Sequence, residues 1–102
     1  MEEMHFERQY RTPSSEGYLI IRNDDRVGRL ELHFTSSIVY GTILLEYEME
    51  ENYLLDLIEQ IDDELVVTAD VARDDFVVTV YHGKNLGTYS DDYFEEEEVN
   101  HN

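Results

Sequence analysis

The chain has 102 residues, no cysteine, and 25 Asp/Glu against 7 Lys/Arg, for a formal charge of −18. That balance disfavours direct binding to nucleic acid or to an anionic membrane, both of which need basic patches, and the missing cysteine excludes disulfide scaffolds and thiolate chemistry. No apolar run approaches the roughly 20 residues of a membrane span and no basic-then-apolar leader opens the chain, which predicts a soluble, cytoplasmic protein.

In chain order, Met1–Glu16 mixes both charges, holds the only proline, Pro13, and shows no sustained period. It is predicted to be a flexible N-terminal arm over residues 1–16. Gly17–Arg22 is rich in β-formers, and Asn23-Asp24-Asp25-Arg26 supplies turn chemistry, because Asn and Asp bond their own backbone. Val27–Phe34 alternates, with Leu30, Leu32 and Phe34 to one side and Arg29, Glu31 and His33 to the other, as in a half-buried strand closing a hairpin. After Thr35-Ser36-Ser37, Ile38–Met49 is the longest predicted strand. Val39, Gly41, Ile43, Leu45, Tyr47 and Met49 share one of its faces; Tyr40, Thr42, Leu44, Glu46 and Glu48 share the other.

From Glu50 the period changes. Leu54, Ile58, Ile61 and Leu65 recur at i, i+4, i+7 and i+11, and Asp56, Glu59 and Asp63 fall opposite, which predicts an amphipathic helix over Glu50–Leu65. Alternation resumes over Val66–Ala72. A turn at Arg73-Asp74-Asp75 leads to a strand with Phe76, Val78 and Val80 inward and Val77, Thr79 and Tyr81 outward. His82-Gly83-Lys84-Asn85 is then a hairpin connection, Leu86–Ser90 a short closing strand, and residues 91–102, with the run Glu95–Glu98, a disordered acidic tail.

The predicted organisation is one domain over residues 17–90 in the order β-β-β-α-β-β-β. One helix covers one sheet face, so the expected class is α+β: two layers, a single helix on a mainly antiparallel sheet of five to six strands. The uncovered face carries Tyr40, Leu44, Val77 and Tyr81, a candidate contact surface. Unpaired sheet edges make a monomer or a weak homodimer the expected state.

Charge is unevenly spread. No Lys or Arg occurs from Leu30 to Ala72, whereas Glu31, Glu46, Glu48, Glu50, Glu51, Asp56, Glu59, Asp62, Asp63, Glu64 and Asp70 all do. Asp62, Asp63 and Glu64 fall in the predicted last helical turn, where the macrodipole favours cations and each acid costs about 0.3–1 kcal/mol. Asp56–Glu59 and Glu59–Asp63 add like-charge neighbours one turn apart. Helix stability alone does not account for that arrangement: either the whole surface is under pressure to be acidic or this face meets something positive.

Catalytic signatures are missing. Asp-Asp pairs at 24–25, 62–63, 74–75 and 91–92 lack the spaced acid-Gly-acid pattern of a calcium loop, and turn chemistry explains three of them. His5, His33, His82 and His101 do not pair at metal-ligand spacing; a base formed by His33 beside Glu46 lacks a marked nucleophile. No glycine-rich phosphate loop precedes a helix. The sequence therefore predicts a non-enzymatic interaction protein without a cofactor, binding a basic protein partner as an inhibitor, immunity-type protein, adaptor or chaperone-like module. Its partner-binding residues are expected to be Asp56, Glu59, Asp62, Asp63, Glu64, Tyr40 and Tyr81. Three alternatives stand beside it: a nucleic-acid mimic that blocks a DNA-binding protein, a domain whose acidity serves only salt adaptation or solubility, and a small carboxylate- or metal-dependent enzyme.

Overall fold

A computed structural model describes residues 4–69 and 74–91. Its elements are β1 (His5–Thr12), β2 (Ser15–Arg22), β3 (Asp25–Phe34), β4 (Ile38–Leu45), α1 (Glu51–Ile61) and β5 (Asp75–His82). The five strands form one sheet in the order β1-β2-β3-β4-β5. β1 to β4 run antiparallel as a meander, and β5 lies parallel to β4. The class is α+β, one helix on a mostly antiparallel sheet, in the order β-β-β-β-α-β.

Two tight turns build the meander. Asn23 (φ 51°) and Asp24 (φ 70°) both adopt left-handed dihedrals, the requirement of a two-residue hairpin turn whose twist matches its strands. Pro13 and Ser14 turn the chain between Thr12 and Ser15, which pair across the ladder.

The expected arm over residues 1–16 is therefore corrected over His5–Thr12, which forms an edge strand. A long-range tie holds it down. Met4 is fully buried, and the Gln60 side chain brackets its backbone: Nε2 donates to the Met4 carbonyl at 2.7 Å, and Oε1 accepts from the Met4 N–H at 3.4 Å. A bulge between Arg8 and Tyr10 breaks the alternation that would have marked this strand.

The helix is longer than its stripe implied. Past Ile61 it continues as one π turn, Asp62–Val66, and one 3₁₀ turn, Val67–Ala69. Ile61 and Val66 are both fully buried. Their five-residue spacing matches the i→i+5 hydrogen-bond step of a π turn, and both side chains stay buried against the sheet. This corrects two expectations. The valine-rich run Val66–Ala72 is helical as far as Ala69 rather than a strand, and residues 70–73 lie outside the described residues. Asp62, Asp63 and Glu64 sit in mid-course of the helical segment, so the macrodipole argument against them does not apply.

β4 stops at Leu45 rather than Met49. The Glu46 N–H still reaches the Val27 carbonyl at 2.9 Å, but Val27 is a bulge residue, and the β3–β4 register ends at the Gly28–Leu45 pair. Tyr47 is exposed instead of inward-facing. The expected strand Leu86–Ser90 is also absent; local bonds replace a ladder there, with the Gly87 N–H donating to Asn85 Oδ1 at 2.8 Å. Of the predicted tail, residues 92–102 lie outside the described residues. No helix among the described residues is long and apolar enough to cross a membrane.

The core lies between the helical segment and one sheet face. Ile20, Leu30, Leu32, Val39 and Ile43 are fully buried against Leu57, Ile61 and Val66. Phe6, Phe34, Leu54, Ile58, Phe76, Val78 and Val80 pack around them, partly buried.

Candidate functional site

Strand register defines the uncovered face as three rows. Glu7, Leu19, Arg29, Leu44 and Tyr81 lie side by side across all five strands. Tyr10, Gly17, Glu31, Thr42 and Thr79 form the next row, and Ser15, His33, Tyr40 and Val77 the third. Among the described residues, α1 and the turns after it lie on the other side of the sheet from this face. Tyr40 is 44% exposed, Val77 40% and Tyr81 56%, matching the outward parity expected for them.

Along β3, Arg29, Glu31 and His33 make a polar spine down the middle of this face. Glu31 lies 4.0 Å from Arg29 Nη2 and 3.8 Å from His33 Nε2. The His33–Glu46 pair, weighed in the sequence only as a conceivable base, does not form; Glu46 instead meets Arg26 Nε at 3.2 Å. Tyr10 also belongs to this face, a residue the sequence reading passed over. Its ring lies directly over Gly17, its cross-strand partner, where a Cβ would collide with the ring carbons. Partial burial and the Glu31 carboxylate push the Tyr10 hydroxyl above its ordinary pKa. The signal was present as a tyrosine and a glycine flanking the Pro13-Ser14 turn, but the bulge obscured their register.

The predicted partner-binding residues divide between two opposite surfaces. Tyr40 and Tyr81 lie on the uncovered sheet face. Asp56 and Glu59 lie on α1, and Asp62, Asp63 and Glu64 on the π turn after it, across the sheet from the tyrosines. Asp56, Glu59, Asp63 and Glu64 are exposed, whereas Asp62 is partly buried. None of the described ion pairs involves Asp56, Glu59 or Asp63. Glu64 accepts a hydrogen bond from Gln60 Nε2 at 3.0 Å, so it helps position the side chain that clasps Met4.

Two concavities flank the sheet. The first, about 330 Å³, lies on the helix side at the β1–β2 hairpin and is lined by Arg8, Arg11, Glu16, Tyr18, Phe34 and Leu65. The bulge in β1 turns Arg8 and Arg11 to the same side, and Glu16 answers them, 3.7 Å from Arg11 Nε and accepting the Tyr18 hydroxyl proton. Burial first, then the bond and charge of Glu16, push the Tyr18 hydroxyl up to about 12 from 10.0. Raising the pKa of an acid favours its protonated form in the folded state. The stabilisation is therefore full below pH 10 and lost as pH rises from 10 to about 12. In a spectrophotometric titration, one tyrosine is expected to ionise last, and that late step is expected to vanish in Tyr18→Phe.

The second concavity, about 600 Å³, opens where β4 and β5 end beside the start of α1. Met49, Leu54 and Val80 are among its apolar lining residues, and Tyr47, Glu48, Glu50 and Tyr81 add aromatic and acidic groups. Among the described residues, no group of three or more His, Asp or Glu side chains is placed to hold a metal ion. No family model, curated protein or solved structure matches this chain.

Proposed function

We propose that the chain is a non-enzymatic interaction protein that docks a basic partner protein. The observation that carries this reading is the uncovered sheet face, where Tyr40, Val77 and Tyr81 stand exposed on a molecule of charge −18. Apolar and aromatic groups in the centre of a contact supply affinity, while surrounding acids speed encounter and select a positive partner. Asp56, Glu59 and Asp63 serve that second role from α1 and the turn after it. Adaptation to concentrated salt would account for the net charge, but it gives no reason to leave tyrosines and valine open on the opposite face.

Affinity capture from the native lysate, eluted along a salt gradient, tests the reading. The wild-type chain is expected to retain a basic protein. Tyr40→Ser/Tyr81→Ser is expected to lose it, since truncating a central aromatic contact costs about 2 kcal/mol or more. Asp56→Asn/Glu59→Gln/Asp63→Asn is expected to release it earlier in the gradient. Identical retention by all three proteins would contradict the reading.

A further inference from the structure

β1 and β5 are the two edges of the sheet, and they are built differently. β1 carries the devices that discourage further pairing: a bulge at Gln9, the charged residues Glu7, Arg8 and Arg11, and Pro13 at its end. β5, Asp-Phe-Val-Val-Thr-Val-Tyr-His, has none of these beyond Asp75 at its start. Its register with β4 is unbroken from Asp75 to His82.

The direction of its free hydrogen-bonding groups follows from the ladder. The Gly83 N–H donates to the Leu45 carbonyl at 2.9 Å, so the odd-numbered residues of β5 address β4. The N–H and C=O groups of Phe76, Val78, Val80 and His82 then point away from the sheet. The Phe76 N–H is taken by Asp75 Oδ1 at 2.8 Å, and no backbone partner for the other outward groups appears among the described residues. Phe76, Val78 and Val80 are only partly buried on the helix side, and Val77 and Tyr81 are exposed on the other. Edge and outer face of β5 are thus open together. At its far end lies the groove with Tyr47, Glu48, Glu50 and Tyr81, whose lining contains no Lys or Arg.

We propose that β5 accepts a sixth strand from an extended basic segment of a partner protein, with a Lys or Arg side chain lodged in that groove. This rests on the basic-partner reading above and specifies how the partner is held. Main-chain bonds to the Phe76 carbonyl and to the N–H and C=O groups of Val78 and Val80 supply the strand pairing. The tyrosine rings and the two glutamates suit a guanidinium or ammonium group above an apolar floor. A second copy of this chain fits the edge poorly, because it would bring two bodies of charge −18 together and set like acids against each other.

The test uses a short peptide alternating arginine and valine, added to the ¹⁵N-labelled full chain. The control is the same peptide with every second amide N-methylated, which keeps the charge and removes strand-pairing donors. The amides of Val78 and Val80 are expected to shift and to exchange more slowly, and the methylated peptide to bind about tenfold more weakly. Thr79→Lys, a change at an exposed position, is expected to weaken the unmodified peptide by a similar factor. Equal binding of both peptides, with shifts centred on Asp56, Glu59 and Asp63, would overturn strand addition and leave the basic-partner reading standing. Absence of peptide binding would also overturn it, with the capture experiment still deciding that broader reading. Protection of the same amides that rises with protein concentration alone would assign the edge to a second copy and likewise overturn the proposal.

Discussion

Leu57→Ala is expected to destabilise the fold by about 3 kcal/mol, within the range for a leucine truncated in a core. Leu57 is fully buried on α1, among the residues that close the core over the sheet. Truncation removes its apolar surface and leaves a cavity that neither helix nor sheet readily collapses to fill. For a domain whose total stability lies around 5–15 kcal/mol, that is a large share. Leu55, two residues earlier and 56% exposed, supplies the control: Leu55→Ala is expected to change stability by less than about 0.5 kcal/mol. Urea unfolding of the two variants beside the wild type reads the difference as a shift in midpoint at unchanged slope.

Gly28→Ala is expected to cost about 2–3 kcal/mol, the upper range for overpacking a close-packed site. A Cβ at Gly28 would strike the backbone carbonyl of Leu44 on β4, and neighbouring backbone of Leu45 lies 3.2 Å away. A flexible side chain could swing aside, but a strand backbone cannot move without disturbing the β3–β4 register that runs from Gly28–Leu45 to Phe34–Val39. Gly83 provides the comparison. Its nearest neighbour for a new Cβ is the Leu44 Cδ1 methyl at 3.6 Å, an ordinary contact, so Gly83→Ala is expected to leave the unfolding midpoint nearly unchanged. Equal midpoints for the two alanine variants would show that β3 and β4 are not as closely apposed as described.

Much of the fold was legible where side-chain period was clean. The alternation of Leu30, Leu32 and Phe34, and of Phe76, Val78 and Val80, assigned those strands and their faces correctly. The stripe of Leu54, Ile58 and Ile61 located the helix. Reading failed where one residue interrupted the period. The bulge at Gln9 separates Met4 and Phe6, which face the core, from Tyr10, which faces outward, so β1 looked patternless. The π turn spaces Ile61 and Val66 by five, and β-branched residues beyond it resembled a strand. Whether β5 runs parallel to β4 is a property of the crossover helix, which alternation within either strand does not encode.

For the interaction surface, Tyr40 and Tyr81 were placed correctly by parity alone. Their grouping with Asp56, Glu59, Asp62, Asp63 and Glu64 into one site followed from charge and exposure, which carry no information about which face of a two-layer fold a residue occupies. The structure separates the two sets by the full thickness of the sheet and helix layers. In the proposed reading that separation gives them different work: tyrosines for contact, carboxylates for steering. It also brings Tyr10, Tyr47 and the free edge of β5 into consideration, which side-chain period did not single out.

Hydroxyl-radical labelling of the chain, free and bound to its captured partner, tests the central claim most directly, because the tyrosines report on both sides. Tyr53 lies exposed on α1, whereas Tyr40 and Tyr81 lie on the uncovered sheet face. The account predicts that labelling of Tyr40 and Tyr81 falls sharply on binding, while Tyr53 labels much as in the free chain. Protection of Tyr53 with Tyr40 and Tyr81 unchanged would place the partner on the acidic helix and contradict it.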